Sequence, residues 1–257
     1  MAGGVVMLAA MQRQLIYYPE TARLEDLSPY AAAAGFQVWR DGQGDYQGWR
    51  PSGRESARNR MLVFHGNAGQ ALHRDYFAGG LQSLGDEWEV FLFEYPGYGP
   101  RADSPSAASI KASAKAALEE LLAEDSRPIF LLGESLGSGV ASYLAGTFPG
   151  QVAGLLLVTP FTSLADVAAV HYPFLPVRTL LSENYDSVDA LARYSGPVAF
   201  LLAGRDEVVP TRLGQALYEG YSGRRWLQVQ DRAGHNTLDY RPGAGWWSEA
   251  SNFLLSD

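Results

Sequence analysis

The stretch from Pro128 to Phe148, PIFLLGESLGSGVASYLAGTF, restricts the possible folds more than any other part of the chain. Ile129–Leu132 is a short apolar run bounded by Pro128 and Gly133, the pattern of a strand buried on both faces. From Leu136 the apolar positions take helical spacing, with Leu136, Val140, Tyr143 and Leu144 on one side. The junction is Gly133-Glu134-Ser135-Leu136-Gly137, a G-x-S-x-G sequence. A serine pushed out on a sharp strand-to-helix turn takes strained backbone angles, so the residues two places to either side must be small. Its oxygen then stands over the N-terminal end of a helix, whose free N–H groups can hold a developing oxyanion. In a chain with 28 glycines the pattern alone is weak, and an ordinary tight turn competes with it. The strand before it and the helix after it make Ser135 the candidate nucleophile.

The remaining sequence repeats this alternation. Met61–Phe64 is an apolar strand that runs into His65-Gly66-Asn67-Ala68-Gly69, and a helix is expected over Leu72–Leu84. Glu89–Tyr95 is the next strand, followed by Pro96-Gly97-Tyr98-Gly99, and Ser104–Glu124 reads as a long helix capped by Ser104 or Ser106. Val152–Val158, Pro197–Ala203 and Trp226–Val229 complete the strands, with helices near Thr211–Gly220 and Trp246–Leu255. Upstream, Phe36–Arg40 and Tyr46–Arg50 flank Asp41-Gly42-Gln43-Gly44 as a hairpin, and Pro51–Asn59 is a polar loop. Gln14–Tyr18 before Pro19 reads as extended, and Tyr30–Ala34 as a helical turn closed by Gly35. The sum is an α/β fold: a mostly parallel sheet of about eight strands flanked by helices, with an antiparallel hairpin at one edge. At 257 residues one domain, 1–257, is the expectation. Residues 160–195 break the rhythm after the sixth strand, with Pro160, Pro173 and Pro176 among Phe, Tyr and Leu. They are expected to form a small lid over the strand ends, the alternative being a connection that packs on the body.

A serine hydroxyl needs a base within hydrogen-bond reach, itself held by a third group. His235 lies in Ala233-Gly234-His235-Asn236, a Gly-bounded turn just past the last strand. Asp206 is the first carboxylate beyond the strand Pro197–Ala203, where an orienting acid belongs; Glu207 and Asp239 are the less favourable choices. The order Ser135, Asp206, His235 is that of the α/β-hydrolase arrangement rather than of chymotrypsin or subtilisin. One oxyanion donor is expected from the N–H of Leu136 and the second from the glycine loop, Asn67 before Ala68. His65, Gly66 and Gly69 would support that loop, while His73 reads as a helix-surface residue. Tyr95, Ala68, Phe161, His171 and Tyr172 are candidates to line the pocket, with Tyr95 equally readable as a brace for the Pro-Gly turn. Glu134 is expected to make a structural hydrogen bond or salt bridge.

With Leu15–Pro19 (LIYYP), HGNAG at 65–69, YPGYG at 95–99 and GESLG at 133–137, the sequence resembles the α/β-hydrolase superfamily along nearly its whole length. It is most similar to the small serine hydrolases that include esterases, acyl-protein thioesterases and lysophospholipid lipases, many of them membrane-anchored. The resemblance implies the fold, a triad and an acyl-enzyme route, and leaves the substrate open. The short N-terminus departs from the anchored members.

The expected activity is therefore cofactor-free cleavage of a carboxylic ester or thioester of a small-molecule acyl substrate. A peptidase of the same fold and a non-catalytic scaffold are the alternatives; the first lacks an assignable device for a peptide N-terminus, and the second fits poorly with an intact Ser, Asp and His. No Cys is present, which excludes disulfides and thiol catalysis, and no His/Asp cluster has metal-site spacing. A net charge of −8 without basic runs gives nucleic-acid binding no electrostatic support. Gly3–Met11 is apolar but far short of the ~20 residues that span a bilayer. It is read as a packed helix of a cytoplasmic protein, or alternatively as the stub of a longer anchor with peripheral membrane contact. No pattern sets an oligomeric state.

Overall fold

Five apolar runs are buried on both faces because they pair in parallel inside one sheet. The computed structural model describes residues 11–256. Its main sheet has eight strands: β1 (Phe36–Arg40), β2 (Tyr46–Pro51), β3 (Asn59–Phe64), β4 (Trp88–Phe93), β5 (Ile129–Glu134), β6 (Val152–Val158), β7 (Val198–Ala203) and β8 (Arg225–Gln230). The spatial order is β8-β7-β6-β5-β3-β4-β2-β1. Strands β3 to β8 run parallel, whereas β2 pairs antiparallel with both β4 and β1. Every residue of β3, β4 and β7 is buried, but edge strand β1 alternates buried Phe36 and Trp39 with exposed Gln37 and Arg40.

Alternation along each strand feeds two apolar cores, one on each face. Leu62 and Phe64 of β3 point into one, and Met61 and Val63 into the other. The first core is closed by α3 (Ala107–Glu124) and α4 (Leu136–Thr147), and the second by α2 (Asp75–Gln82) and α9 (Gly245–Leu255). Helix α3 starts where expected: the Ser106 hydroxyl accepts from the N–H of Ser109 in a capping box. Helix α8 (Thr211–Gly220) links β7 to β8.

Two local expectations need correction. Residues 11–16 are helical and only Tyr18–Pro19 is extended, pairing in parallel with Ala68–Gly69. The stretch before Gly35 is a full helix, α1 (Leu24–Ala33), with Pro29 inside it. Glu25 and Asp26 favour its N-terminal turn, and Gly35 at φ +80° ends it. The apolar segment from Gly3 lies outside the described residues apart from Met11. Among the described residues no helix is long and apolar enough to cross a membrane.

The segment after β6 behaves as two parts. Helices α5 (Leu164–His171) and α6 (Val177–Leu180) contain no buried residue. Tyr185 and helix α7 (Ser187–Leu191), by contrast, lie tightly on α4. A Cβ at Gly139 would stand 2.9 Å from that of Tyr185, and one at Gly146 would collide with the carbonyl of Ala190. The expected overhang thus describes 164–180, whereas the packed connection describes 185–191.

Candidate active site

The turn between β5 and α4 has the strain that its sequence implies. Ser135 takes φ +51° and ψ −117°, a region L-residues rarely occupy. Its N–H donates to the Val158 carbonyl at 2.9 Å, and its carbonyl accepts from the N–H of Ser138 at 2.9 Å. Gly133 and Gly137 are small for a concrete reason. A Cβ on Gly133 would run into the Gly137 carbonyl, and a Cβ on Gly137 would run into the carbonyl of Phe64 on β3.

Three side chains meet there. His235 Nε2 lies 3.1 Å from Ser135 Oγ, and His235 Nδ1 lies 2.7 Å from Asp206 Oδ2. A carboxylate only accepts, so the ring proton sits on Nδ1 and Nε2 is left to accept from the serine hydroxyl. Asp206 is fixed in turn: its Oδ1 accepts from the N–H groups of Val208 at 2.9 Å and Val209 at 2.7 Å. Glu207 is exposed, and Asp239 pairs with Arg241 at 2.7 Å, which removes both as partners of His235.

The glycine loop after β3 faces the serine. Asn67 is held on three sides: its carbonyl accepts from Tyr18 N–H at 2.9 Å and Tyr98 Oη at 2.7 Å, and its side-chain amide donates to the Ile16 carbonyl at 2.8 Å. Its backbone N–H has no acceptor among the described residues, and the N–H of Leu136 is the first of a helix, without an intrahelical partner. His65 donates from Nδ1 to the Gly66 carbonyl at 2.7 Å, while Nε2 faces Glu94 Oε1 at 3.1 Å. Glu134 ties the two loops together, accepting from Gly66 N–H at 3.1 Å, Arg74 Nε at 2.8 Å and Tyr76 Oη at 3.1 Å. Burial pushes its carboxyl up, but the Arg74 guanidinium and these donors outweigh that and hold it below the usual glutamate range.

Above Ser135 lies a cavity of about 400 Å³. Asn67, Leu136, Phe161, His171 and Tyr172 are on its wall, together with Ser135 itself. Tyr95 and Ala68 are not. Tyr95 is fully buried and donates to the His65 carbonyl at 2.7 Å, so it braces the loop, and burial drives its phenol well above the usual range. Ala68 is taken up by pairing with Tyr18. His73 sits half-exposed on a 3₁₀ turn, as a surface residue.

A family model described as alpha/beta hydrolase fold matches residues 59–186. The alpha/beta hydrolase domain-containing protein WAV2 of Arabidopsis thaliana is 30% identical, over 84% of this chain and 77% of its own length. The chain belongs to the α/β-hydrolase superfamily. An uncharacterized protein of Mycobacterium tuberculosis, Rv2307c, is 37% identical over 94% of this α/β-hydrolase and 87% of its own length. The lysophosphatidylserine lipase ABHD12 of Danio rerio is 31% identical, over 71% of this chain and 52% of its own length. Among solved structures, a Pyrococcus furiosus esterase superposes with a TM-score of 0.68 at 17% identity, covering 93% of this chain and 97% of its own.

Several wall residues of this α/β-hydrolase escaped the sequence reading. Leu164, Val167 and Ala168 are the unforeseen ones, and together with the expected His171 they line the cavity from one face of α5. Their i, i+3, i+4, i+7 spacing was visible and marks one helical face. Leu15 and Ile16 come from the N-terminal helix, and Val208 and Val209 directly follow Asp206. Nothing local in LIYYP tells that it lies against a site more than a hundred residues away.

Proposed function

We propose that this protein is a serine hydrolase cleaving carboxylic ester or thioester bonds through an acyl-enzyme, with Ser135 as nucleophile, His235 as base and Asp206 as orienting acid. The observation that carries the reading is the continuous contact from Ser135 Oγ to His235 to Asp206, which opens onto an apolar cavity. His235 Nε2 takes the serine proton as Oγ attacks the acyl carbon, and Asp206 stabilises the resulting imidazolium. The N–H groups of Asn67 and Leu136 receive the oxyanion, each worth about 10²–10³ in rate. The imidazolium then protonates the leaving alcohol or thiol, and water repeats the cycle on the acyl-enzyme. The site needs no cofactor for this. In the same reading the chain is one domain, with 160–195 as its cap, and the mostly apolar wall takes the acyl group. The name of the ABHD12 relative supports a lipid ester as the substrate class.

The test is hydrolysis of p-nitrophenyl butyrate together with labelling by a fluorophosphonate. Wild type should turn over the ester and be labelled at Ser135. Ser135→Ala, folded by circular dichroism, should lose at least about 10³-fold in kcat and all labelling. Equal activity in the two proteins would remove Ser135 from the mechanism.

A further inference from the structure

Beside the catalytic cavity lies a second, smaller chamber of about 100 Å³ that does not reach Ser135. Leu15, Ile16, Ala168, Tyr172 and Leu181 line both, so the two spaces share a wall. The rest of the distal wall is Gln12, Leu175, Val177 and Leu180. Gln12 Oε1 accepts from Ser182 N–H at 2.8 Å, and every other lining side chain is apolar or aromatic. This wall is built from two parts of the chain, the helix at 11–16 and helices α5 and α6.

The two parts are fastened together by a buried carboxylate. Glu183, 2% exposed, accepts from Arg13 Nε at 2.8 Å and Tyr17 Oη at 2.7 Å, and also from the N–H of Ala107 at the start of α3. The helix at 11–16 is thereby held against the insertion as a fixed wall.

We propose that the alkyl tail of the acyl group leaves the catalytic cavity past this shared wall and ends in the distal chamber. Residues 12–16 and 175–181 then set a preference for medium and long unbranched acyl chains. The inference rests on the acyl-enzyme reading above. With the carbonyl carbon at Ser135 Oγ, a short acyl group ends inside the first cavity, and only a longer one meets Val177 or Leu180. Each methylene transferred from water to such a surface gives roughly a fourfold gain in binding.

The experiment compares kcat/KM for p-nitrophenyl butyrate, octanoate and palmitate in wild type, Val177→Trp and Leu180→Ala, with fluorophosphonate labelling as the check on an intact site. Val177→Trp fills the distal chamber and should lower the palmitate-to-butyrate ratio at least tenfold. Leu180→Ala enlarges it and should move the optimum toward longer chains. Labelled variants that keep the wild-type ratio overturn the chamber while leaving the nucleophile assignment standing. A wild type that neither labels nor hydrolyses any ester overturns the catalytic reading instead. In that case, binding of a fluorescent long-chain fatty acid decides the chamber: tenfold weaker binding by Val177→Trp supports it, and equal binding overturns it.

Discussion

Helix α4 and helix α5 flank the same cavity and are built on opposite principles. Ten of the twelve residues of α4 are buried, among them Gly137, Gly139 and Gly146, which let β3, Tyr185 and α7 approach closely. None of the eight residues of α5 is buried, although Leu164, Val167 and Ala168 give the cavity its apolar wall. Ser135 thus stands at the start of a tightly packed element, since a shift of α4 breaks contacts on three sides. The α5 wall of the cavity stands on an element with no buried residue, the kind that opens at low free-energy cost. On the proposed reading, reaction geometry and substrate choice fall to two differently packed elements.

The sharpest way to break this contrast is at its rigid end. In Gly137→Ala the new methyl meets the carbonyl of Phe64, part of a strand with every residue buried. We expect a loss of about 3 kcal/mol in stability, roughly 6–12 °C in Tm. Urea and thermal unfolding measure it directly. A loss below ~0.5 kcal/mol would mean that the elbow has slack and that the rigidity argument fails.

That end was also the more legible in sequence, for the same physical reason. Strand β5, the elbow and α4 follow from local pattern: an apolar run, two obligatory glycines and a helical period. Asp206 and His235 follow from chain order and from standing just past strands. Tyr95 stays open between pocket and brace in the sequence because a tyrosine at a strand end can face the pocket or the loop below. Only the 2.7 Å bond to the His65 carbonyl decides between them. Residues 14–16 read as extended in the sequence, although they end a helix, because so short a helix carries little periodicity. Its role as a wall depends on Glu183, some 170 positions away. Contacts between distant, weakly patterned segments leave no local trace.

Glu183 offers a medium-sized test of how the helix at 11–16 is fastened to the insertion. Burial pushes its carboxyl up, but the bonds from Tyr17, Arg13 and Ala107 N–H outweigh this and hold it below the usual glutamate range. The sign follows from linkage: a carboxyl depressed in the folded state contributes stability that is complete above its unfolded value of ~4.3. That contribution is lost as pH falls through the depressed folded value. Glu183→Gln should therefore cost about 1–2 kcal/mol at pH 7, and the gap to wild type should close on acidification below pH ~4. Thermal melts at pH 7 and in the acid range measure both. A gap that persists unchanged at low pH would assign the loss to packing rather than to the charge.

The smallest expected effect tests the other end. Phe174 lies between α5 and α6, is 98% exposed, and belongs to neither cavity wall. A phenyl ring already in water has no burial to forfeit, so Phe174→Ser should change stability by no more than about 0.5 kcal/mol. Its Tm should stay within ~2 °C of wild type. If the loss instead exceeded ~1 kcal/mol, the ring would have to be packed in solution. Helices α5 and α6 would then carry a burial of their own. The contrast between a tightly packed α4 and a loosely held wall would then give way to two halves of similar rigidity.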